Sequence, residues 1–279
     1  MAEPHRKPPS DRRPGTAAVY GTILVSRVRA QTAYRLSFSL DLVGSICFAL
    51  IELLEVYMIF HNTETLGGLG FAAALLVFGF ARTGFSLADL LVGNLRKTHL
   101  LVRSGNLDVL LVRPASALAQ IITLDFEPRK IGSVATSAVV LGLALSANEV
   151  DWTPARAVLA VLTPFTAAAV FAALWVVGGA WQLWLVDTAR ATDSLAIAGG
   201  YAANYPSSVF PHGLRQVFTF VIPAAFAGYL PTLVLLGLPG SPGLPAWLGW
   251  CTPVAAAAAI VVGARLWRLA LRRYTSAGG

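Results

Sequence analysis

Long apolar stretches with almost no charge recur along this 279-residue chain. Several of them approach the ~20 residues that a helix needs to cross the hydrocarbon core of a bilayer. Only 13% of the residues are charged and the mean hydropathy is +0.66, whereas soluble domains carry about 25% charged residues. A water-soluble fold cannot bury that much apolar surface, so the chain is predicted to be an all-α integral membrane protein.

Six apolar segments are predicted to span the membrane. They cover about residues 36–60, 66–92, 131–147, 154–186, 217–236 and 246–266. The fourth is longer than one crossing requires, which tilt or an extension into water would accommodate. Together they make residues 19–279 a single transmembrane domain, which opens with an interfacial helix at 19–35 and follows a flexible cytoplasmic tail at 1–18.

Lysine and arginine are distributed very unevenly among the loops. Cytoplasmic loops near the ends of spans are enriched in both residue types. All but two of the 21 lysines and arginines lie before the first span, at 93–130, at 187–215 or around the end of the last span. The exceptions are Arg82, inside the second span, and Arg156, at the outer edge of the fourth. Both termini are therefore predicted to be cytoplasmic, with the loop at 238–245 outside.

Several kinds of chemistry are absent from the sequence. The net charge of +7 does not indicate a nucleic-acid partner, because the basic residues flank apolar spans instead of gathering on a water-facing domain. The chain has no G-x-x-x-x-G-K-[ST] phosphate loop, H-E-x-x-H, C-x-x-C or G-x-S-x-G. We therefore predict no catalytic residue, no metal site and no cofactor in this chain. If ATP is used, a separate subunit must bind it with Mg.

Charged residues inside spans are costly in lipid and are therefore candidates for function. Asp41, Glu52 and Glu55 lie in the first predicted span, and Arg82 lies in the second. In an antiparallel hairpin, Arg82 comes within roughly two helical turns of Asp41 and Glu52 in depth. An intramembrane ion pair is predicted. Two interpretations stay open at this point: the charges only pair across helices or snorkel, or they contact a substrate or gate its path.

Residues 103–114, between the second and third predicted spans, mix apolar side chains with fixed charges. The segment contains a turn at Gly105-Asn106 and a proline stop at Pro114. A loop lying on the membrane surface would explain its leucines and valines, but it would not require Asp108 or the proline. Docking of a partner explains both, and the two interpretations remain open from the residues alone.

At these residues the chain resembles the six-span bacterial branch of the ABC-2 type permeases, whose inner segment reads G-x-L-D-x-x-L-x-R-P. Here that segment is Gly105–Pro114, with the sequence GNLDVLLVRP. The stretch Tyr205–Pro231 is similar to the family's Y-P…P…R…I-P-A-F…P run, and Arg273–Gly278 resembles its Y-x-S-A-G ending. The matches follow the family order over nearly the whole chain.

The resemblance implies a type V exporter-like transmembrane domain in the bacterial plasma membrane. It implies pairing with a second permease, like or unlike, and with two cytoplasmic ATPase subunits whose ATP hydrolysis drives substrate export. This chain would be the non-catalytic subunit. Its ATPase-coupling segment would be formed by Arg103, Gly105, Asn106, Leu107, Asp108, Arg113 and Pro114.

Two other classes of protein remain to be weighed. An ion-coupled secondary transporter would use intramembrane carboxylates such as Glu52 and Glu55, although the inverted repeats usual for that class are not evident. An intramembrane enzyme would need convergent catalytic groups at membrane depth, and the four scattered histidines do not supply them. The identity of the substrate is not written in the sequence.

Overall fold

The computed structural model describes residues 35–124, 127, 130–184 and 189–274. The predicted tail at 1–18 and the predicted interfacial helix at 19–35 lie outside these residues, apart from Arg35. Over the described residues the fold is built from α-helices joined by short turns and brief 3-10 helices. The helices are α1 Arg35–Asn62, α2 Phe71–Val92, α3 Thr98–Arg103, α4 Asn106–Leu111, α5 Ala117–Leu124, α6 Ile131–Ser146, α7 Pro154–Trp184, α8 Ala189–Asn204, α9 His212–Gln216, α10 Tyr229–Leu236 and α11 Thr252–Arg272.

Three of the described helical stretches are long and apolar enough to cross a membrane. They are Phe71–Arg103, Pro154–Trp184 and Ala246–Arg272, and Ile131–Ser146 is a shorter apolar helix. These four agree with the second, fourth, sixth and third predicted spans. Helix α1 covers the first predicted span and runs two residues beyond it, to Asn62.

Helix α2 lies at the centre of the bundle and packs against α6, α7 and α8, while α11 packs on the far side of α7. Its residues Leu76, Val77, Phe80 and Ala81 are completely buried. The bundle has two ends. The hairpin end carries the α1–α2 turn at 63–70, and the connector end carries the connector, which is the chain between α2 and α6 at 93–130.

Small residues let α2 and α7 approach closely at mid-length. A Cβ atom on Gly84 would collide with the side chain of Ala167 and would come 3.0 Å from its backbone carbon. In lipid the hydrophobic effect does not favour packing of one helix on another. Close van der Waals contact between small residues therefore contributes much of the free energy of helix association. The α2–α7 interface therefore depends on the missing side chain at Gly84.

The predicted fifth span, about 217–236, is wrong. The chain there forms α9, a π-helical turn at Val217–Val221, an extended Ile222, a 3-10 helix at Ala224–Ala227 and then α10. Pro223 breaks the helix because it lacks an N–H and because the residue before a proline avoids helical dihedral angles. Ile222 has ψ of 94°, in the extended region.

Residues 212–236 enter the bundle and return to the end where they started. Arg215 lies at the hairpin end, where its guanidinium donates a hydrogen bond to the Pro242 carbonyl at 3.1 Å. Ile222 reaches the middle of α8 at Gly199. Gly237, which follows α10, is back beside Arg156 at the hairpin end. The predicted inner position of Arg215 and the predicted outer position of the α1–α2 turn therefore cannot both hold.

Helix α8 connects the two ends in place of the predicted fifth span. It follows α7 at the connector end and leads to Ser208, whose hydroxyl donates a 2.6 Å hydrogen bond to the Gly67 carbonyl in the α1–α2 turn. Its residues Gly199 and Gly200 lie against the side chains of Leu174 and Phe85. Arg190 and Asp193, near the start of the helix, lower its mean hydropathy, so hydropathy missed it. With Arg215 taken out because it lies at the hairpin end, all but three of the 21 lysines and arginines fall on segments predicted to be inside.

Cysteine labelling can test this arrangement in a variant without native cysteines. The exposed residue His212 should be labelled by an impermeant maleimide from the same membrane side as Glu64, because both lie at the hairpin end. The His212→Cys and Glu64→Cys variants should therefore react together, and the Ser104→Cys variant should react only from the opposite side. Labelling of His212→Cys from the side of Ser104→Cys would contradict the re-entrant path.

Substitution at the α2–α7 contact should destabilise the bundle. Gly84→Val adds a branched side chain where Ala167 leaves no space, so the free energy of unfolding should fall by about 1–3 kcal/mol. Unfolding in detergent, followed by circular dichroism, measures the change. The matched control is Gly142→Val, because Gly142 is also helical, is exposed and has open space around it. Equal losses in the two variants would contradict the packing role.

Candidate functional site

The connector begins with a docking segment, defined here as α3, the turn at Gly105, α4 and residues 112–114. It leaves α2 through a 3-10 helix at Gly93–Lys97. The chain reverses at Gly105, which has φ of 68° and ψ of 0°, in the left-handed region that favours glycine. Helix α4 then ends before the Arg113-Pro114 stop. The predicted turn is therefore present at the predicted place.

The docking segment has a buried face and an exposed face. Val102, Leu107 and Leu110 are buried and belong to the main hydrophobic core, which ties the segment to the bundle. The opposite face combines apolar and charged groups, and Val112 is 87% exposed. The exposed members of this face are Arg103, Ser104, Asn106, Val109, Leu111, Val112, Arg113 and Pro114.

Two buried glutamines hold the docking segment to its neighbours. Gln182, on α7, is 1% exposed, accepts a 2.9 Å hydrogen bond from the His99 backbone N–H and donates to the Arg96 carbonyl. Gln120, on α5, donates to the Leu110 and Ala115 carbonyls at 2.9 and 3.0 Å. These side-chain to backbone hydrogen bonds fix the segment to α7 and to α5.

An ionic cluster joins the start and the end of the connector. Lys130 Nζ lies 3.0 Å from Asp89 Oδ2 and 3.6 Å from Glu127 Oε2, and Lys97 Nζ lies 3.0 Å from Glu127 Oε1. Arg96 Nη1 is 3.7 Å from Asp89. The cluster links the end of α2 to the beginning of α6 across the whole connector.

A second polar site lies at mid-length of the bundle. Arg82 is about 16 Å from either end of α2, at ~1.5 Å per residue. Its Nε lies 2.9 Å from Glu52 Oε2, and its guanidinium carbon lies 5.9 and 5.5 Å from the ring centroids of Phe48 and Phe85. Glu52 is only 9% exposed. The cation is therefore surrounded by one carboxylate and two aromatic rings.

Comparison with known proteins decides the family. The model of a family described as ABC-2 family transporter protein matches residues 46–278. The chain belongs to the ABC-2 transporter family. A search of curated proteins and a search of solved structures each gave no match.

Family membership confirms the resemblance that the motifs indicated. The protein is a multi-pass membrane protein and the permease subunit of an ABC transporter, a subunit class that is generally non-catalytic and associates with ATP-binding cassette ATPases. Among the described residues of this ABC-2 permease, no group of three or more histidines, cysteines or acids is placed to hold a metal ion.

The predicted intramembrane residues of the permease fall into two neighbouring contacts. Glu52 pairs with Arg82, and Glu55 Oε1 accepts a 2.7 Å hydrogen bond from the Tyr205 hydroxyl. The side chain of Asp41 lies outside the described part of the chain. Tyr205 was missed as a member of this site because it is 150 residues from Glu55. Its place in the family motif was the only signal for it.

The Arg82–Glu52 pair separates two cavities in the permease. One, of about 260 Å³, lies toward α6 and includes Ser133, Thr136 and Ser137. The other, of about 310 Å³, lies toward α8 and includes Ile197, Tyr201 and Asn204. Both cavities also have Phe48, Glu52 and Arg82 in their walls. The polar groups at membrane depth are thus accessible from two sides of the pair.

Removing one partner of the Arg82–Glu52 pair should destabilise the permease. Arg82→Leu leaves the buried Glu52 carboxylate without its cation, so the free energy of unfolding should fall by about 3 kcal/mol. The double variant Arg82→Leu/Glu52→Leu should regain most of that loss, because no buried charge is then unpaired. Chemical unfolding in detergent measures both changes.

The control for the Arg82→Leu variant is Arg156→Leu. Its partner Asp151 is almost fully exposed, so the pair is screened by water and the loss should stay below about 1 kcal/mol. A double variant as unstable as the sum of its single substitutions would show that Arg82 and Glu52 do not interact.

Proposed function

We propose that this permease has six membrane crossings and works as an exporter subunit in the bacterial plasma membrane. The proposed crossings are α1, α2, α6, α7, α8 and α11, and residues 212–236 re-enter from the outside without crossing. An even number of crossings agrees with the concentration of lysine and arginine on the connector and around both termini. The connector end then faces the cytoplasm.

The docking segment is proposed to receive the motion of the ATPase. The observation that carries this proposal is its two-faced packing: one face is part of the bundle core, and the other leaves Val109, Leu111 and Val112 exposed beside charged residues. Exposed apolar groups with a polar rim are typical of a protein interface. The residues proposed to couple to the ATPase are Arg103 and, within the family motif, Gly105, Asn106, Leu107, Asp108, Arg113 and Pro114.

Transmission from the docking segment to the bundle is proposed to use its rigid attachments. Gln182 connects the start of α3 to α7, which packs along α2 and α11. The ionic cluster around Lys130 connects the same region to α6. Because these attachments are short and buried or partly buried, a push on the docking segment would move the ends of α2, α6 and α7 together instead of bending a loose loop.

The partners proposed for the permease are two cytoplasmic ATPase subunits and a second permease, identical or different. ATP and Mg are proposed to bind to the ATPases, not to this chain. A long apolar face of α1 is exposed in the single chain, as lipid contact or a second permease would require. Its members include Leu40, Val43, Leu50, Ile51, Leu54 and Met58. Family membership favours this assembly over an ion-coupled secondary transporter.

Two substitutions in the docking segment test the coupling proposal. Asp108→Arg reverses a charge on α4, and Gly105→Trp adds a bulky side chain at the left-handed turn, which has open space around it. Each should reduce the ATPase that co-purifies with the permease by about tenfold or more, because a misplaced charge or bulk at an interface typically costs 2 kcal/mol or more. Quantitative immunoblotting of the purified complex measures the loss.

Matched controls lie at the hairpin end. Glu149→Arg makes the same acid-to-cation change at an exposed position, and Gly68→Trp adds the same bulk at another left-handed glycine with open space. Both variants should retain the ATPase at wild-type levels. Full ATPase association and transport in Asp108→Arg and Gly105→Trp would rule out the docking segment as the coupling element.

A further inference from the structure

A groove opens on the side of the bundle between α1 and α8, and α2 forms its floor. It contains the 310 Å³ cavity next to Arg82. Phe48 on α1 is 56% exposed and Tyr201 on α8 is 50% exposed, so the walls of this α1–α8 groove are open at its mouth. The floor carries Arg82 and Phe85. A ligand could enter the groove laterally, from the membrane or from the space between paired permeases.

One acid of the groove region is left with its charge uncompensated. On α1, Phe48, Glu52 and Glu55 follow each other at helical spacings of four and three residues, so they share one face. Glu52 is neutralised by Arg82 at 2.9 Å. Glu55 receives only the neutral Tyr205 hydroxyl, and among the residues that the structure describes no cation pairs with it. The described groups at this site thus carry a surplus negative charge.

The positive charge of Arg82 is compensated by the Glu52 carboxylate. Its guanidinium is held by the Glu52 carboxylate and lies over the rings of Phe48 and Phe85. An anionic ligand would have to compete with Glu52 at close range and would meet Glu55 as a second like charge. The groove therefore disfavours anions, although an arginine at membrane depth would by itself suggest the opposite.

The remaining surface of the groove is aromatic and apolar. Phe48, Phe85 and Tyr201 offer ring faces and edges, and Ile197 adds an aliphatic wall. Aromatic rings attract organic cations through their quadrupole, an attraction that grows when water is excluded. Asn204 supplies a neutral polar group at the same wall. The groove thus combines rings and an apolar wall, and Glu55 lies one helical turn beyond Glu52 on the α1 face that lines it.

We propose that the α1–α8 groove binds hydrophobic organic cations, with the apolar body between the rings of Phe48 and Tyr201 and the positive centre toward Glu55. The proposal rests on the proposed function in one respect: it takes the bound cation as the substrate class that the exporter moves. The binding itself requires only the permease chain. Glu55 is the residue that confers the charge preference, and Glu52 neutralises the charge of Arg82 in the floor of the groove.

Binding of tetraphenylphosphonium tests the proposal directly. The full-length permease, without ATPase, is placed in nanodiscs of phosphatidylcholine, which carry no net charge to attract the probe. Wild-type protein should bind radiolabelled tetraphenylphosphonium saturably. Glu55→Gln keeps the shape and the acceptor oxygen for Tyr205 but removes the charge, so affinity should fall by about tenfold or more. Radiolabelled tetraphenylborate, an anion of the same shape tested in a separate sample, should not bind saturably.

The control variant is Glu64→Gln, which removes an exposed acid from the α1–α2 turn at the hairpin end and should leave the affinity unchanged. Equal affinity in wild type and Glu55→Gln, or saturable binding of tetraphenylborate, would overturn the proposal. The Glu55→Gln permease should still co-purify with the ATPase. If the wild-type permease does not bind the cation but still associates with the ATPase, only the proposed substrate class is rejected. Loss of ATPase association in Asp108→Arg tests the docking segment instead.

Discussion

Lipid offers no hydrogen bonds to backbone groups and no water to solvate charged side chains, and the arrangement of the helices follows from this constraint. Helices α2, α7 and α11 meet it by satisfying their own backbone groups along their length. Charged side chains meet it by pairing, as Arg82 does with Glu52 at the middle of α2. Where neither solution is available, the chain must be enclosed by protein. Most special features of this permease are consequences of that third case.

The re-entrant segment at 212–236 is the clearest example. Its backbone passes through a π-helical turn, an extended residue and a 3-10 helix, which would expose unsatisfied polar groups to lipid. Residues Ala224–Ala227 are all buried, against α7 and α8, and the neighbouring Gly228 lies against the Val77 carbonyl of α2. Protein surrounds the irregular backbone on these sides, so the break at Pro223 is tolerated at membrane depth.

Short polar contacts between side chains hold residues in place at both candidate sites. At the connector end, buried amides and an ionic cluster attach the docking segment to α5, α6 and α7. In the α1–α8 groove, the same kind of short polar contact fixes Arg82 in place and leaves Glu55 as the group with charge to offer.

The sequence alone determined the solvent, the helical class, most of the helices, the family and the position of the turn at Gly105. These properties follow from local composition and spacing, which act over a few residues at a time. The sequence also brought Glu52 and Arg82 together, because two consecutive helices joined by a short turn must be antiparallel. Tertiary structure decided what depends on distant neighbours: α8 is a long helix of the bundle although Arg190 and Asp193 lower its mean hydropathy, and 217–236 is not a continuous helix although its residues are apolar. It also decided that Tyr205 hydrogen-bonds Glu55 and that Gln182 hydrogen-bonds the docking segment. The partner of a buried polar side chain depends on how helices far apart in the chain pack together, and a hydropathy pattern contains no information about that packing.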